Sequence, residues 1–215
     1  MSRVAVVTGG TRGIGAAISK TLKGAGYKVA AIYAGNDEAA AQFKAETGIA
    51  VYKWDVSSYE ACAEGLAAIP HMIEAMTERV HVGGAPFLGI CVGMQLLADR
   101  GLEHGETPGL GWVPGEMRLI VPTDAAIKVP HMGWNDVAML SHAKDHPVIE
   151  AGEAYFLHSY HFAAADPHHV AAMTDHGEGL VAAVARGNIL GVQFHPEKSQ
   201  NYGLETLRRF LEWYP

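Results

Sequence analysis

An α/β fold is what this sequence predicts: a doubly wound, mostly parallel sheet in three layers, with an antiparallel extension. Three observations carry that prediction. The first ninety residues alternate short apolar runs with helix-patterned stretches. Two of the runs end in glycine-rich turns that lead straight into helical patterns, at Gly9–Gly15 and at Gly89–Gly93. Beyond residue 105 the chain becomes rich in Gly and Pro, with alternating strand-like segments.

In chain order, Val4–Thr8 reads as a buried strand, followed by a glycine turn and a helix from about Ile14 to Lys23 that stops at Gly24 and Gly26. Val29–Tyr33 is a second strand. Asp37 is expected to cap a helix through Glu46, ended by Gly48. Ile49–Val56 is a third strand, and Tyr59–Ile69 and Met72–Val80 are helical. Phe87–Ile90 is a fourth strand, followed by a helix over Met94–Ala98. Met117–Val121, Tyr155–Tyr160, Val181–Ala185 and Ile189–Phe194 are further strands, and Leu204–Trp213 is a closing amphipathic helix.

The 215 residues suffice for one α/β domain or two small ones, and 49% hydrophobic content without any apolar run near about eighteen residues argues for a soluble protein and against a membrane span. No signal segment is expected, because Arg3 is followed only by Val4–Val7 before a glycine turn. Two cysteines, Cys62 and Cys91, cannot build a disulfide framework, which points to the cytoplasm. A net charge of −7 and the lack of a basic stripe argue against nucleic acid.

Gly89-Ile90-Cys91-Val92-Gly93 is the most informative segment. A strand ending in Gly-x-Cys-x-Gly and entering a helix makes a sharp turn that exposes the central side chain, and the flanking glycines are expected to accept its strain. A helix N-terminus there is expected to favour the Cys91 thiolate. Far along the chain, Gly191-Val192-Gln193-Phe194-His195-Pro196-Glu197 ends a second apolar run in a histidine and a carboxylate. Cysteine, base and orienting acid are the parts nucleophilic acyl transfer needs. His158 and His161 have a spacing compatible with metal, yet in one continuous strand they would face opposite ways, so no metal is expected. Trp112 and Trp134 read as packing residues.

From about Cys62 to Pro215 the chain resembles the class I, triad-type glutamine amidotransferases, and within them the glutaminase subunits of imidazole glycerol phosphate synthase. The resemblance is carried by Pro86–Gln95, by Pro130-His131-Met132-Gly133-Trp134-Asn135, by Phe156-Leu157-His158-Ser159-Tyr160-His161 and by Gly191–Ser199. It implies that Cys91 attacks the amide carbon of L-glutamine, that His195 moves the proton and that Glu197 orients His195. It further implies that Gly89 shapes the turn, that the Val92 N–H serves the oxyanion, and that Gln95 and the segment His158, Ser159 and Tyr160 hold the substrate. The family passes its ammonia to a (β/α)₈-barrel synthase subunit, implying a heterodimer, and requires no cofactor.

Residues 1–61 tell a different story. Val7-Thr8-Gly9-Gly10-Thr11-Arg12-Gly13-Ile14-Gly15 lies between a strand and a helix, where backbone N–H groups can receive a pyrophosphate. With Tyr33-Ala34-Gly35-Asn36 and Trp54-Asp55-Val56-Ser57, this Rossmann-like segment is similar to short-chain dehydrogenases, most of all acetoacetyl-CoA reductases. That resemblance implies a weak NADP site formed by Gly9, Thr11, Arg12, Gly13, Ile14 and Gly15, with Asp55 at the adenine. The family's Asn-Asn-Ala-Gly segment and Tyr-x-x-x-Lys pair do not occur, so hydride transfer is not expected. The amidotransferase's Pro-Gly-Val-Gly oxyanion turn is replaced by Asp55-Val56-Ser57-Ser58, and losing one such donor costs about 3 kcal/mol. The expectation is a chimera joined between about Asp55 and Ala63, packed as one domain. It would be either a glutaminase of reduced activity or a catalytically silent nucleotide-binding or structural hybrid.

Overall fold

The computed structural model describes residues 4–69, 72–124 and 126–215; Arg3 lies outside them. The chain divides into two units, Met1–Ile73 and Glu74–Pro215.

The first unit holds β1 (Val4–Val7), α1 (Gly13–Gly24), β2 (Lys28–Tyr33), α2 (Asp37–Thr47), β3 (Ala50–Lys53) and α3 (Tyr59–Ala68). Its sheet has the order β1-β2-β3, and both pairings are parallel, with Val6 opposite Ala30 and Ala30 opposite Ala50. Right-handed crossovers through helices are what such a short-linked parallel sheet requires. The central strand is the driest: Ala30, Ala31 and Ile32 are buried, and Ala31 packs with Phe43 of α2 and Ile49. The cap of α2 is Asn36 rather than the expected Asp37; its Oδ1 accepts from the Ala39 N–H at 2.9 Å. Asp37 instead pairs with Lys53 at 2.9 Å. Gly48 ends α2 in the left-handed region, as the sequence suggested. The third strand is shorter than expected because the chain turns at Asp55, whose carboxylate accepts from the Ser57 N–H and hydroxyl.

Next comes α4 (Met72–Thr77), then a π-helical turn over Glu78–Val82 where a continuous helix was expected. Asn188 holds that turn, its amide donating to the carbonyls of Val80 at 2.8 Å and Ala85 at 2.6 Å. The second unit continues with β4 (Phe87–Ile90), α5 (Val92–Gln95), β5 (Arg100–Gly101), β6 (Thr107–Pro108), β7 (Gly115–Leu119) and β8 (His131–Met139). It ends with β9 (Gly152–His158), β10 (Tyr160–Ala164), β11 (Val170–Asp175), β12 (Gly179–Arg186), β13 (Ile189–Val192) and α6 (Gln200–Glu212). Six strands pair in the order β4-β13-β12-β11-β8-β9, and four in the order β10-β7-β5-β6. In the larger sheet only β4–β13 is parallel. The antiparallel part, expected as an extension, thus forms most of this unit.

Strands β8 and β11, like the two-residue β5, had not been expected, and the run read as one strand over 155–160 is divided at Ser159 between two sheets. The core lies under the larger sheet, where Phe156, Phe194, Leu190 and Val192 meet Ala171, Ala182 and Trp213. Each large apolar side chain removed from water there contributes about 1.5–3 kcal/mol. Among the described residues, no helix is long and apolar enough to cross a membrane.

Candidate active site

The turn after β4 is built by crowding. A Cβ on Gly89 would sit 2.5 Å from the Gly93 carbonyl oxygen and 2.9 Å from the Met94 nitrogen, so only glycine lets the helix start this close to the strand. The strained residue is not a glycine. Cys91 itself adopts φ 50° and ψ −110°, whereas a Cβ on Gly93 would meet nothing within 4 Å. Strain on a nucleophile at a strand-to-helix turn points its side chain outward from the sheet edge. The helix that follows is one turn long, because the chain leaves it at Leu96 to bury Leu96, Leu97 and Ala98.

Parallel pairing supplies the second half of the site. Ile90 lies opposite Val192, and the Cys91 N–H donates to the Val192 carbonyl at 2.8 Å. The residues after both strands therefore emerge at one carboxyl edge. On that edge His195 Nδ1 lies 2.8 Å from Glu197 Oε1. The carboxylate accepts, so Nδ1 carries the hydrogen and Nε2 keeps its lone pair. That Nε2 is buried and has no hydrogen-bond partner. Ser199 fixes the backbone of the pair, accepting from the Tyr155 N–H at 2.9 Å and donating to the His195 carbonyl at 2.7 Å.

Burial dominates the electrostatics of Cys91, pushing its thiol up to about 11; the Val92 N–H, Lys198 and the Gln193 amide pull the other way, and the Glu197 charge adds to the rise. The expected thiolate at a helix N-terminus is therefore not what the structure shows. A single helical turn has little dipole to offer against that desolvation. A thiol in this setting would need a base in order to act as a nucleophile.

Behind the sulfur runs a polar chain that sequence reading largely missed. Gln193, fully buried, donates from Nε2 to Cys91 Sγ at 3.7 Å and accepts at Oε1 from Gln95 Nε2 at 3.2 Å. Gln95 Nε2 also reaches the Tyr160 carbonyl at 3.4 Å. The same carbonyl accepts from His158 Nδ1 at 2.8 Å, and His158 Nε2 lies 3.0 Å from His131 Nδ1. His131 Nε2 lies 3.1 Å from Asn135 Nδ2. Burial lowers both imidazoles, His158 to about 3 and His131 to about 4. Ser159 presents its carbonyl to the Ile120 N–H, and the Leu157 carbonyl lies 4.0 Å from Cys91 Sγ. His158 and His161 stand on different strands. A glutamine placed on the inward side of a dry strand is a signal that could have revealed Gln193.

The first unit has a cavity of its own, about 470 Å³, lined by Gly9, Thr11, Arg12, Gly13, Tyr33, Gly35, Asn36, Trp54 and Val56 among others. Gly9 and Gly13 are in the left-handed region, and a Cβ on Gly15 would collide with the Gly9 carbonyl. Ser19 ties α1 to the turn through the Gly10 carbonyl at 3.0 Å. Arg12 precedes α1 without capping it. Asp55 and Gly15 are not among the lining residues, and the Ile14 side chain lies outside the described residues. Trp112 packs edge-on against Phe87 and His81, as expected, but Trp134 is 43% exposed.

A cysteine on a strained strand-to-helix turn and a His–Glu pair just beyond the adjacent strand share one sheet edge, the arrangement of a triad-type amidotransferase. Residues 62–213 match the family model for class-I glutamine amidotransferases, and the chain belongs to that family. Residues 3–82 match the family model for short chain dehydrogenases, so the two matches overlap over 62–82. The chain is similar to the imidazole glycerol phosphate synthase subunit HisH of Zymomonas mobilis, 54% identical over 160 residues that cover 74% of each chain. To the HisH subunit of Rhodospirillum rubrum it is 49% identical over 162 residues, covering 74% of this chain and 76% of the relative. A solved glutamine amidotransferase structure matches over 97% of both chains with a TM-score of 0.51 at 19% identity, a likeness of fold.

Proposed function

We propose that this protein releases ammonia from L-glutamine with Cys91, His195 and Glu197, as the glutaminase half of a histidine-biosynthetic synthase in the cytoplasm. One observation carries the reading: His195 Nε2 is buried and unpartnered, its Nδ1 bonded to Glu197, just beyond the strand paired with the one that leads to the strained Cys91 elbow. His195 Nε2 takes the Cys91 proton as the sulfur attacks the amide carbon of glutamine. Negative charge gathers on the carbonyl oxygen, where the Val92 N–H stabilises it. The C–N bond then breaks as His195 returns the proton, releasing ammonia and leaving a γ-glutamyl thioester. Water, deprotonated by the same imidazole, cleaves the thioester to glutamate and restores the thiol. Glu197 steadies each imidazolium stage.

The first three strands, in this reading, come from a short-chain dehydrogenase, joined between about Asp55 and Ala63. The Pro-Gly-Val-Gly turn is lost with the exchange, and a hundredfold or greater reduction follows from one missing oxyanion donor, about 3 kcal/mol. A (β/α)₈-barrel synthase subunit is the proposed heterodimer partner, supported by the similarity to subunits of imidazole glycerol phosphate synthase. The test is glutamate release by the protein and by Cys91→Ala, with and without that subunit. Slow turnover abolished by the substitution and raised by the subunit is expected. A folded protein with no turnover overturns the reading.

The cavity of the first unit favours a second role. We infer that Gly9, Thr11, Arg12 and Gly13 bind the phosphate-bearing half of NADP weakly, with Arg12 toward the 2′-phosphate. The glycines fit the group: their left-handed backbone and lack of Cβ leave a cradle open to phosphate oxygens. Bound NADPH would offer a hydride, but no Tyr-x-x-x-Lys pair stands ready to supply a proton, so the site binds without reducing. Fluorescence titration with NADPH should show millimolar-range binding that Arg12→Ala weakens further; no change in fluorescence up to saturating ligand sinks it.

A further inference from the structure

The geometry points to Asn135, His131 and His158 as positioning residues for Cys91, acting through the Tyr160 carbonyl and the Gln95–Gln193 amide pair. The inference rests on Cys91 being the nucleophile. Every hydrogen in this chain has one possible direction. A carbonyl can only accept, so the 2.8 Å contact makes His158 Nδ1 the donor and leaves Nε2 as an acceptor. His131 Nδ1, 3.0 Å away, must then donate, which leaves its Nε2 to accept from Asn135 Nδ2 at 3.1 Å. The second Asn135 hydrogen goes to the Asp175 carbonyl at 2.6 Å, and its Oδ1 is fixed by the Asp136 N–H at 2.9 Å. On the other side the Tyr160 carbonyl gathers Gln95, and Gln95 orients the Gln193 amide whose N–H reaches the sulfur.

His131 and His158 are 3% and 6% exposed, and His131 is clamped between the rings of Phe156 at 4.7 Å and His176 at 4.2 Å. Neither ring can turn without burying a naked donor or acceptor. The low affinity of both rings for a second proton keeps the polarity fixed near neutral pH. Strand β8 therefore holds, through His131 and His158, the Tyr160 carbonyl in place, and that carbonyl aims the Gln95–Gln193 amide pair at Cys91. None of the three positioning residues belongs to the triad, and none touches the sulfur in the described contacts.

Two substitutions separate this role from packing. In H131N the amide nitrogen takes the place of Nδ1 and can still donate to His158. In H131Q the terminal amide takes the place of Nε2, so Asn135 keeps a partner and His158 loses its donor. Glutamine turnover and the pH profile of Cys91 alkylation by iodoacetamide are measured for both, with thermal midpoints as the folding control. H131Q should lower kcat/KM about tenfold, the scale of one hydrogen bond. It should also move the alkylation midpoint to higher pH, because the Gln193 N–H that favours the thiolate is released. H131N should stay within about threefold and leave the midpoint in place.

Equal losses in both variants, or an unmoved alkylation midpoint in folded H131Q, overturn the proposal. Alkylation needs no glutamine, so a protein without turnover but with a shifted H131Q profile refutes the glutaminase and keeps the relay. Should H131Q fail to fold, nitrogen-15 shifts of the unsubstituted protein decide: an Nδ1–H tautomer on both rings is expected, and Nε2–H on His158 refutes the chain.

Discussion

Two strand–turn–helix corners of this molecule both use glycine for close approach but differ in which residue takes the left-handed backbone. At the Gly9–Gly15 turn the left-handed positions are glycines, so the backbone bends without strain, and a twelve-residue helix follows. At the elbow after Phe87–Ile90 the left-handed position is Cys91, the crowded position is Gly89, and the helix is a single turn. The first corner presents backbone N–H groups and no reactive side chain. The second gives up ease of folding to thrust one sulfur off the sheet edge. The first turn has glycine both at its bends and at its close approaches, Gly10 and Gly15; the elbow keeps glycine for close approach and puts the strain on the proposed nucleophile.

The sharpest way to break this contrast is Gly89→Ala. Its new methyl has no room against Gly93 and Met94, and a loss of about 3 kcal/mol or more with collapse of any turnover is expected, read by thermal melting and glutamate release. A stable, active Gly89→Ala protein would mean the elbow is not built by crowding.

Acid is the next largest lever. His131 and His158 titrate near 4 and 3 in the folded protein against an ordinary value of 6.5. The unfolded chain therefore binds protons first, and the stabilising effect of neutral imidazoles is complete above about pH 6.5. Stability should fall by several kcal/mol as the pH drops from 6.5 through 4 towards 3, measured by urea unfolding. A flat profile over that range would remove the buried pair from the account.

Smaller effects sharpen the comparison. Cys91→Gly relieves the left-handed strain and should stabilise by about 1 kcal/mol while abolishing turnover, so stability and activity part company at one residue. Asn36→Ala removes the cap of the helix over Asp37–Thr47 and should cost about 1 kcal/mol. Gly93→Ala, with open space around it, should change stability by less than about 0.5 kcal/mol. Differential unfolding of this set against the unsubstituted protein checks all three.

Most elements of the α/β fold were readable because dry strands announce themselves as apolar runs, as in Phe87–Ile90 and Ile189–Val192. The strand His131–Met139 escaped because its inward side carries His131, Gly133 and Asn135 before Val137, so the alternation of hydrophobicity is hidden while the alternation of burial is intact. The break at Ser159 is invisible for a different reason: two strands of opposite sheets follow one another without a turn residue. Cys91, His195 and Glu197 stood out as residue types in a pattern. Gln193 and Ser199 did not, since their parts are set by partners far away in sequence. The thiol's protonation also had to come from structure, because burial depends on what packs above the elbow.

Ser199 links to His195 and to Tyr155 at the middle of the strand Gly152–His158, and His158 begins the relay at its end. The proposed base and the proposed relay are thus mounted on a single rail seven residues long. Sliding that rail shifts both mounts by the same amount, so the proton acceptor and the scaffold behind the sulfur hold their spacing. Tuning this centre calls for bending the rail between its mounts, and Phe156, packed at its middle against Phe194 and His131, is where a bend would have to begin.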